Sequence, residues 1–471
     1  MNAETATGAA ATSEPFYVAH EKLYPREVGG RFQRLRVAAV LLLLALFYAL
    51  PWIPWEGRQA VLFDLPARKF YILGLVFWPQ DFFLLSWLLI IAALSLFFVT
   101  ALAGRLWCGY ACPQTVWTEV FVWMERLVEG NRSQRMKLDR APLTAAKLLR
   151  KSAKQTLWIG FSAWTGFTFV GFFTPIDVLA HELASLTLGP WELFWIVFYG
   201  FATYGNAGYL REQVCEYMCP YARFQSAMFD RDTLIISYDE RRGEPRGRRP
   251  RGIDHRARNL GDCIDCTLCV QVCPTGIDIR KGLQYECIAC AACIDVCDEV
   301  MDRMAYPRGL IRYATEASMR GERARILRPR TAIYATLLGA LVAGFVAAVV
   351  LRNPLGIDVI RDRNALFRTL EDGTIENVYI VRLLNKDQRE HRLRLSVEGN
   401  PALHLDTDAT DRLVAAGEVA TMAVRLRLSE GPAGGQDVKL RATAVDDDDD
   451  DDDDEPHLTA TAVTRFIAPP R

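Results

Sequence analysis

Eight of the twelve cysteines crowd into one stretch, and their spacing names a chemistry. Cys263, Cys266, Cys269 and Cys273 lie in CIDCTLCVQVC, and Cys287, Cys290, Cys293 and Cys297 in CIACAACIDVC. Each set reads C-x2-C-x2-C-x3-C, the bacterial-type frame for iron–sulfur ligation, in which three closely spaced thiolates grip one cubane and the fourth reaches across to the other. The spacing therefore predicts one 4Fe–4S cluster on Cys263, Cys266, Cys269 and Cys297, and a second on Cys287, Cys290, Cys293 and Cys273. Pro274 follows the first set as the pattern expects, whereas Asp298 stands where a second proline is usual. Structural zinc and disulfides are the competing uses of clustered cysteines, and the doubling of the frame argues against both. Two clusters with no substrate pocket attached mean electron relay, and leave open what the electrons are for.

The other four cysteines form a second repeat. RLWCGYACP places Cys108 and Cys112 before Pro113, and REQVCEYMCP places Cys215 and Cys219 before Pro220. Both contain C-x-Y-x-C-P, both follow a long apolar run and a basic residue, and both precede an amphipathic stretch. In the first stretch Val116, Trp117, Val120, Phe121, Met124 and Leu127 share a helical face; in the second Tyr221, Phe224 and Met228 do. Proline favours the first helical position, which sets Cys112 and Cys219 at N-caps, where a helix terminus lowers a thiol pKa. Four such thiols could bind a soft ion such as Cu(I), cycle as disulfides, or sit inert in helix packing. Met218 adds a soft thioether or is an interfacial packing residue. A two-unit repeat of this kind predicts that the motifs face each other across a pseudo-twofold axis.

The elements that must position these residues are written in hydropathy and charge. Five apolar stretches approach the roughly 20 residues needed to cross a bilayer as a helix: Val37–Trp55, Phe82–Ala103, Thr156–Ile176, Trp191–Leu210 and Thr331–Leu351. The run Tyr71–Trp78, broken at Gly74 and ended by Pro79, reads as an interfacial or re-entrant piece. Lysine and arginine are dense from Arg126 to Lys154 and after Leu210, and absent from Asp177 to Pro190. The positive-inside rule then puts the N-terminus and the cysteine ladder in the cytoplasm and the C-terminal region outside, and reduced thiols suit that compartment. The opening sixteen residues lack a basic n-region and read as a flexible tail rather than a signal peptide. The ten acidic residues Asp446 to Glu455 mask a positive remainder: without them the net charge of −1 becomes +9.

Beyond Leu351 the period changes. Ile375–Leu384, His391–Val397, Met422–Leu428, Val438–Ala444 and Leu458–Phe466 read as strands, with Met422, Val424, Leu426 and Leu428 alternating against polar neighbours. Short strands with turn signals predict an immunoglobulin-like sandwich, and the aspartate run a self-repelling loop between its last two strands or a weak cation site. The fold class is thus a polytopic α-helical membrane protein of five transmembrane helices, with a cytoplasmic bacterial-type dicluster ferredoxin domain and a C-terminal immunoglobulin-like β-sandwich. Its domains run 1–35 (N-terminal tail), 36–230 (four-helix membrane domain), 231–330 (ferredoxin domain with basic linker), 331–351 (fifth helix) and 352–471 (outer domain with acidic loop 446–455). The linker Arg241–Arg258 reads as a solvated flank against anionic lipid, or as a dock for an acidic electron donor. No C-x-x-C-H, no paired membrane histidines and no G-x-G-x-x-G after a strand occur, which excludes attached or bundle-bound haem and an intrinsic nicotinamide or flavin domain. His181, in the short outer loop, is a quinol contact or a plain interfacial histidine. Nothing in the pattern calls for nucleic acid.

With both cysteine motifs, the fifth span, NPLGIDVIRDRNALFR and IENVYIVRLLNK in place, the chain resembles the FixG/CcoG family of accessory proteins for cbb-type cytochrome oxidase from about Tyr24 onward. The C-x3-C-P motifs are also similar to those of quinol-linked membrane ferredoxin proteins of nitrate and nitrous oxide respiration. The resemblance implies a cupric reductase of the bacterial inner membrane, its outer domain periplasmic. Electrons would reach Cu(II) by way of two 4Fe–4S clusters, with Cys108, Cys112, Cys215 and Cys219 taking the copper. It implies as partners the oxidase subunits or copper-delivery proteins, a cytoplasmic or quinol electron donor, membrane lipid, and a second copy of the chain as a homodimer. A quinol-coupled conduit and a non-enzymatic assembly scaffold are the alternatives.

Overall fold

The computed structural model describes residues 22–252, 256–363, 365–407, 410–429, 434–445 and 458–469. The aspartate run lies outside them, as do His20, His255 and His457 and the first 21 residues of the expected tail. The chain divides into two compact units. One comprises 22–43, 99–162 and 202–326 and holds every cysteine; the other comprises 44–98, 163–201 and 327–469.

Among the described residues three helices are long and apolar enough to cross a membrane: Arg31–Trp52, Pro79–Ala103 and Pro329–Val350. Their apolar stretches are mostly unburied by protein, as expected of segments whose solvent is lipid. This is the signature of a membrane-associated chain. The third expected span lies in the helix Ala145–Val170, whose first turns carry Lys147, Arg150, Lys151 and Lys154. The fourth is the helix Pro190–Thr203, which continues as a π-helix, Tyr204–Leu210. Gly166 and Gly200 allow these two helices to meet, since a β-carbon on Gly166 would stand 2.9 Å from the Gly200 nitrogen.

In the second unit the C-terminal region is a two-sheet sandwich. One sheet orders Leu403–Thr407, Val419–Leu428, Ile375–Asn385 and Leu355–Arg361, and the other Asp411–Val414, His391–Glu398, Gly435–Val445 and Thr459–Ile467. Period two dictates the core: Tyr379, Val381 and Leu383 face Leu393, Leu395, Leu440 and Phe466. Met422, Val424, Leu426 and Leu428 point inward as their alternation predicts. The edge strands Leu403–Thr407 and Asp411–Val414 escape a sequence reading because each is only four or five residues long and has too few alternations to show a period.

The run Tyr71–Trp78 is not a re-entrant segment. It contributes to a three-stranded antiparallel meander, Val61–Asp64, Lys69–Ile72 and Leu75–Phe77. Val76 and Trp78 pack on Leu384 of the sandwich, and Asp81 pairs with Arg352 at 3.4 Å and Lys386 at 3.5 Å. Of the apolar residues that suggested a membrane interface, Val76 and Trp78 are buried against protein, whereas Ile72, Leu73 and Leu75 remain exposed. The stretch between the third and fourth expected spans likewise holds a helix, Ile176–Ser185, on which His181 is exposed.

Candidate functional site

The first unit is built around the cysteine ladder. A two-stranded antiparallel sheet, Ile235–Tyr238 with Ile311–Ala314, closes it from behind. Each quartet loop then repeats one backbone figure. Residues on either side of the central cysteine take positive φ: Asp265 (51°) and Thr267 (59°) around Cys266, Ala289 (54°) and Ala291 (61°) around Cys290. Such alternation turns successive backbone N–H groups into a concave nest, which suits the anionic sulfurs of an iron–sulfur centre. A short helix, Leu268–Gln271, and a long one, Ala292–Met304, follow the two figures. They place Cys269 and Cys293 in first turns, and Cys297 one turn beyond Cys293.

The result is two chambers. Cys263, Cys266, Cys269 and Cys297 line one of about 370 Å3, with Leu310, Ile311 and Met301 around them. Cys273, Cys287, Cys290 and Cys293 line the other, of about 330 Å3, with Ile236, Ile279 and Ile288. Cys269 borders both, so the chambers adjoin. All eight thiols are unbridged. Burial pushes Cys269 and Cys287 up to about 12, so each bare thiol would hold its proton until a cation claims the sulfur. Among the described residues no three His, Cys, Asp or Glu side chains are set to hold a single ion. Sulfurs spread around a chamber instead fit a polynuclear cluster.

The two C-x3-C-P motifs come together against the second chamber. Cys112 and Cys219 are N-caps, and Pro113 and Pro220 open the helices Pro113–Glu129 and Pro220–Met228, as the sequence predicts. Cys108 donates to Gln225 Oε1 at 3.5 Å, and Arg105 donates to the Ala222 carbonyl, so the first motif grips the helix of the second. Gln114 returns the contact, donating to the Arg211 and Asn206 carbonyls at 3.0 and 2.9 Å. The symmetry is imperfect: Leu106–Tyr110 is α-helical, whereas Val214–Met218 is a π-turn, a local widening common at functional sites. Gly109 is buried on the Ile288–Ala289 backbone, and Cys108 packs with Ile288 and Cys290.

The thiols do not behave as an N-cap argument alone predicts. Burial is the larger effect, pushing Cys108 up to about 11 and Cys215 up to about 12, with the neighbouring thiols adding to it and Arg105 offsetting part. Cys112 is also raised by burial, although the Gln114 and Thr115 amides pull the other way. The helix-end amides still lower the thiol pKa, but the cost of taking a thiolate out of water exceeds their effect here.

The expected amphipathic faces are partly corrected. Val116, Val120 and Phe121 are buried, but Leu127 is 80% exposed. In the second helix Phe224 is exposed, and Ala222 and Gln225 are the buried pair because they serve the first motif. Met218 is exposed too. Sequence reasoning missed Gln225, Gly109 and Arg36; the last contacts the Cys290 sulfur. The only advance signal was the basic residue, Arg105 or Arg211, that precedes each motif. The expected linker is not simply solvated. Arg242 pairs with Asp262 at 2.5 Å, and Arg249 donates to the Gly261 carbonyl and stacks over Tyr306. Nor is the tail loose from residue 22 onward: Arg26 N donates to Gln271 O at 2.8 Å, and Tyr24 to Asp139 at 2.5 Å.

Comparison with known proteins bears on this arrangement. A 4Fe-4S dicluster profile matches residues 210–316, and a 4Fe-4S binding-domain profile matches 85–131, which includes the first motif. The profile described as the IG-like fold at the C-terminal of FixG matches 345–469. Nitrogen fixation protein FixG of Rhizobium meliloti is 38% identical over 439 residues, covering 85% of this chain and 84% of that protein. The chain belongs to the FixG family. Protein RdxA of Cereibacter sphaeroides, another relative, is 39% identical over 432 residues, covering 88% of this chain and 91% of its own length. A crystal structure of a FixG-related protein from Vibrio parahaemolyticus is 27% identical and covers 24% of this chain and 95% of that one, with a TM-score of 0.20. As a FixG-family member with two kinds of 4Fe-4S domain, the chain is an iron–sulfur electron-transfer protein.

Proposed function

We propose that this chain reduces Cu(II) to Cu(I) at the cytoplasmic face of a bacterial inner membrane, in support of the assembly of a cbb-type cytochrome oxidase. Cys263, Cys266, Cys269 and Cys297 would hold one 4Fe–4S cluster, and Cys287, Cys290, Cys293 and Cys273 the other. When bound, such clusters supply one-electron relay, which is what reduction of Cu(II) consumes. Copper is the substrate, and Cys108, Cys112, Cys215 and Cys219 receive it. The observation that carries the reading is the seating of Gly109 on the Ile288–Ala289 backbone, which brings the first copper motif against the wall of the second chamber.

The chain's own residues contribute in two ways. Thiolates hold Cu(I) more tightly than Cu(II), so the thiols of the two motifs, which lie near enough to raise one another's pKa, would make the reduced ion the favoured product. Half-burial of Cys108, Cys112 and Cys215 limits the access of water to the product ion. The topology that would serve this has five spans, the helix Ala145–Val170 and the helix Pro190–Thr203 with its π-helical extension to Leu210 joining the three more apolar ones. Basic residues from Arg126 to Lys154 support a cytoplasmic ferredoxin domain and a periplasmic sandwich. The sandwich would dock oxidase subunits or copper-delivery proteins. A cytoplasmic or quinol donor would feed the relay, and a homodimer is compatible with it. In the deciding experiment, Cys108, Cys112, Cys215 and Cys219 are together replaced by serine in the full-length protein. The variant should keep its 4Fe–4S EPR signals and lose both Cu(I) retention and Cu(II) reduction; unchanged reduction would overturn the reading.

A further inference from the structure

A cleft of about 840 Å3 opens in the first unit beside Cys215. One wall is the segment around Arg26 and the start of the helix Arg31–Ala49; another is the helix Pro113–Glu129; Ile288 and Ala292 of the second quartet form its floor. Four guanidinium groups border it, from Arg26, Arg36, Arg126 and Arg211, against two carboxylates, Glu119 and Glu212. Arg211 is committed to Glu125 at 2.9 Å. Arg36 leans on Glu119 at 3.7 Å and donates to Gln33, and Arg126 lies 3.8 Å from the exposed Glu27 and within the field of Glu119. The Nε atoms of both Arg36 and Arg126 are buried without a protein acceptor. Cys215 is the one thiol on the lining, and no aromatic ring is there to stack a flavin or nicotinamide.

These features select a ligand. The excess of positive charge repels a bare divalent ion and attracts a small polyanion, while guanidinium groups match carboxylates in geometry as well as charge. We propose that this cleft binds small polycarboxylates, and that Cu(II) enters through it as an anionic carboxylate chelate and meets Cys215 as its first thiol. The second part rests on the copper-reductase reading. The transfer is a ligand exchange: a Cu–O bond to the carrier breaks, a Cu–S bond to Cys215 forms, and the thiol proton leaves on the freed carboxylate. Copper stays Cu(II) in this step.

Two measurements on the anaerobic full-length protein test this. Copper-free citrate should slow alkylation of Cys215 by iodoacetamide at least threefold. The protection should be lost in Arg26→Gln/Arg126→Gln and restored in Arg26→Lys/Arg126→Lys, all three proteins having the same 4Fe–4S EPR signals. No protection in the parent protein, or equal protection in the glutamine variant, overturns the site. The second measurement compares copper uptake from Cu(II)–citrate with uptake from the neutral bis(histidine) complex. The ratio of the two rates should fall about tenfold in the glutamine variant, and an unchanged ratio overturns the entry route. Citrate protection with no copper taken from either carrier would overturn the copper reading while leaving the polycarboxylate site standing.

Discussion

Gly109 stands so close to Ile288 that a β-carbon at position 109 would lie 2.7 Å from the Ile288 carbonyl oxygen and 3.0 Å from that of Ala289. Both obstacles are backbone, and that backbone belongs to the loop between Cys287 and Cys290. A side chain at 109 can be accommodated only by moving a ligand loop. Gly109→Val is expected to lose the iron of the second quartet, about half the total, while the first quartet keeps its EPR signal. Full retention of iron would show that the loop yields without releasing its cysteines.

Glu125 is wholly buried and meets Arg211 at 2.9 Å, Lys22 at 3.2 Å and Arg135 at 3.4 Å. Burial alone would raise its pKa; Arg211 and Lys22 outweigh it and lower the group from 4.5 to about 2. A lowered folded-state pKa means the contribution is complete above pH 4.5 and is lost as pH falls toward 2. Glu125→Gln leaves the buried Arg211 and Arg135 short of a carboxylate, Lys22 keeping Asp139, and should cost about 3 to 5 kcal/mol at neutral pH. Thermal melts across pH should find that the parent loses stability between pH 4.5 and 2 and that the variant is flatter there.

Thr267 is a β-branched residue held at a φ of 59°, a region that costs an L-residue roughly 1 to 2 kcal/mol. Its side chain donates to the Cys266 carbonyl at 2.7 Å and accepts from Gln271 at 3.2 Å. Thr267→Gly should therefore keep the iron content of the parent and raise the melting temperature of the cluster signal. Thr267→Pro, which forces φ negative, should abolish the first quartet's signal. Parallel iron assays and EPR-monitored melts separate these outcomes.

In the sandwich, Tyr379 is fully buried and its hydroxyl donates to the Arg465 carbonyl at 3.0 Å. Tyr379→Phe removes the hydrogen bond alone and should cost about 1 kcal/mol, whereas Tyr379→Ala opens the core and should cost about 3 to 5 kcal/mol. Hydrogen exchange across Ile375–Asn385 and Thr459–Ile467 would read the difference, with the cysteine unit's exchange unchanged in both variants.

The parts of this fold that the sequence made legible are those governed by short-range rules. Cys263 to Cys297 declares two chambers because ligand spacing is local, and Met422 to Leu428 declares a strand because side-chain period is local. Pro113 and Pro220 mark helix starts for the same reason. What stayed hidden depends on distant partners. Phe70, Tyr71 and Val76 are as apolar as any interfacial segment until the sandwich supplies Leu384 to cover Val76. Phe224 looks like a core residue, yet Gln225 is buried in its place because Cys108 and Arg105 need that side of the helix. The thiol pKa shifts reversed sign for a related reason: an N-cap is visible in sequence, but the depth to which a tertiary fold buries it is not.

The seating of one motif on the other's chamber also says something about how such a protein can be taken apart. The dicluster region has the sequence outline of a free-standing carrier, a portable part that evolution or an engineer might move at will. Its second chamber is lined from within residues 236 to 293, but Gly109 presses on the Ile288–Ala289 backbone from outside, and Arg36 on the helix Arg31–Ala49 touches Cys290. Excised at its sequence borders, the carrier would keep every lining residue and lose the support behind one ligand loop. The two compartments should therefore differ in stiffness: the first is held by residues 235 to 314 alone, the second is braced by segments that come from the membrane part of the chain.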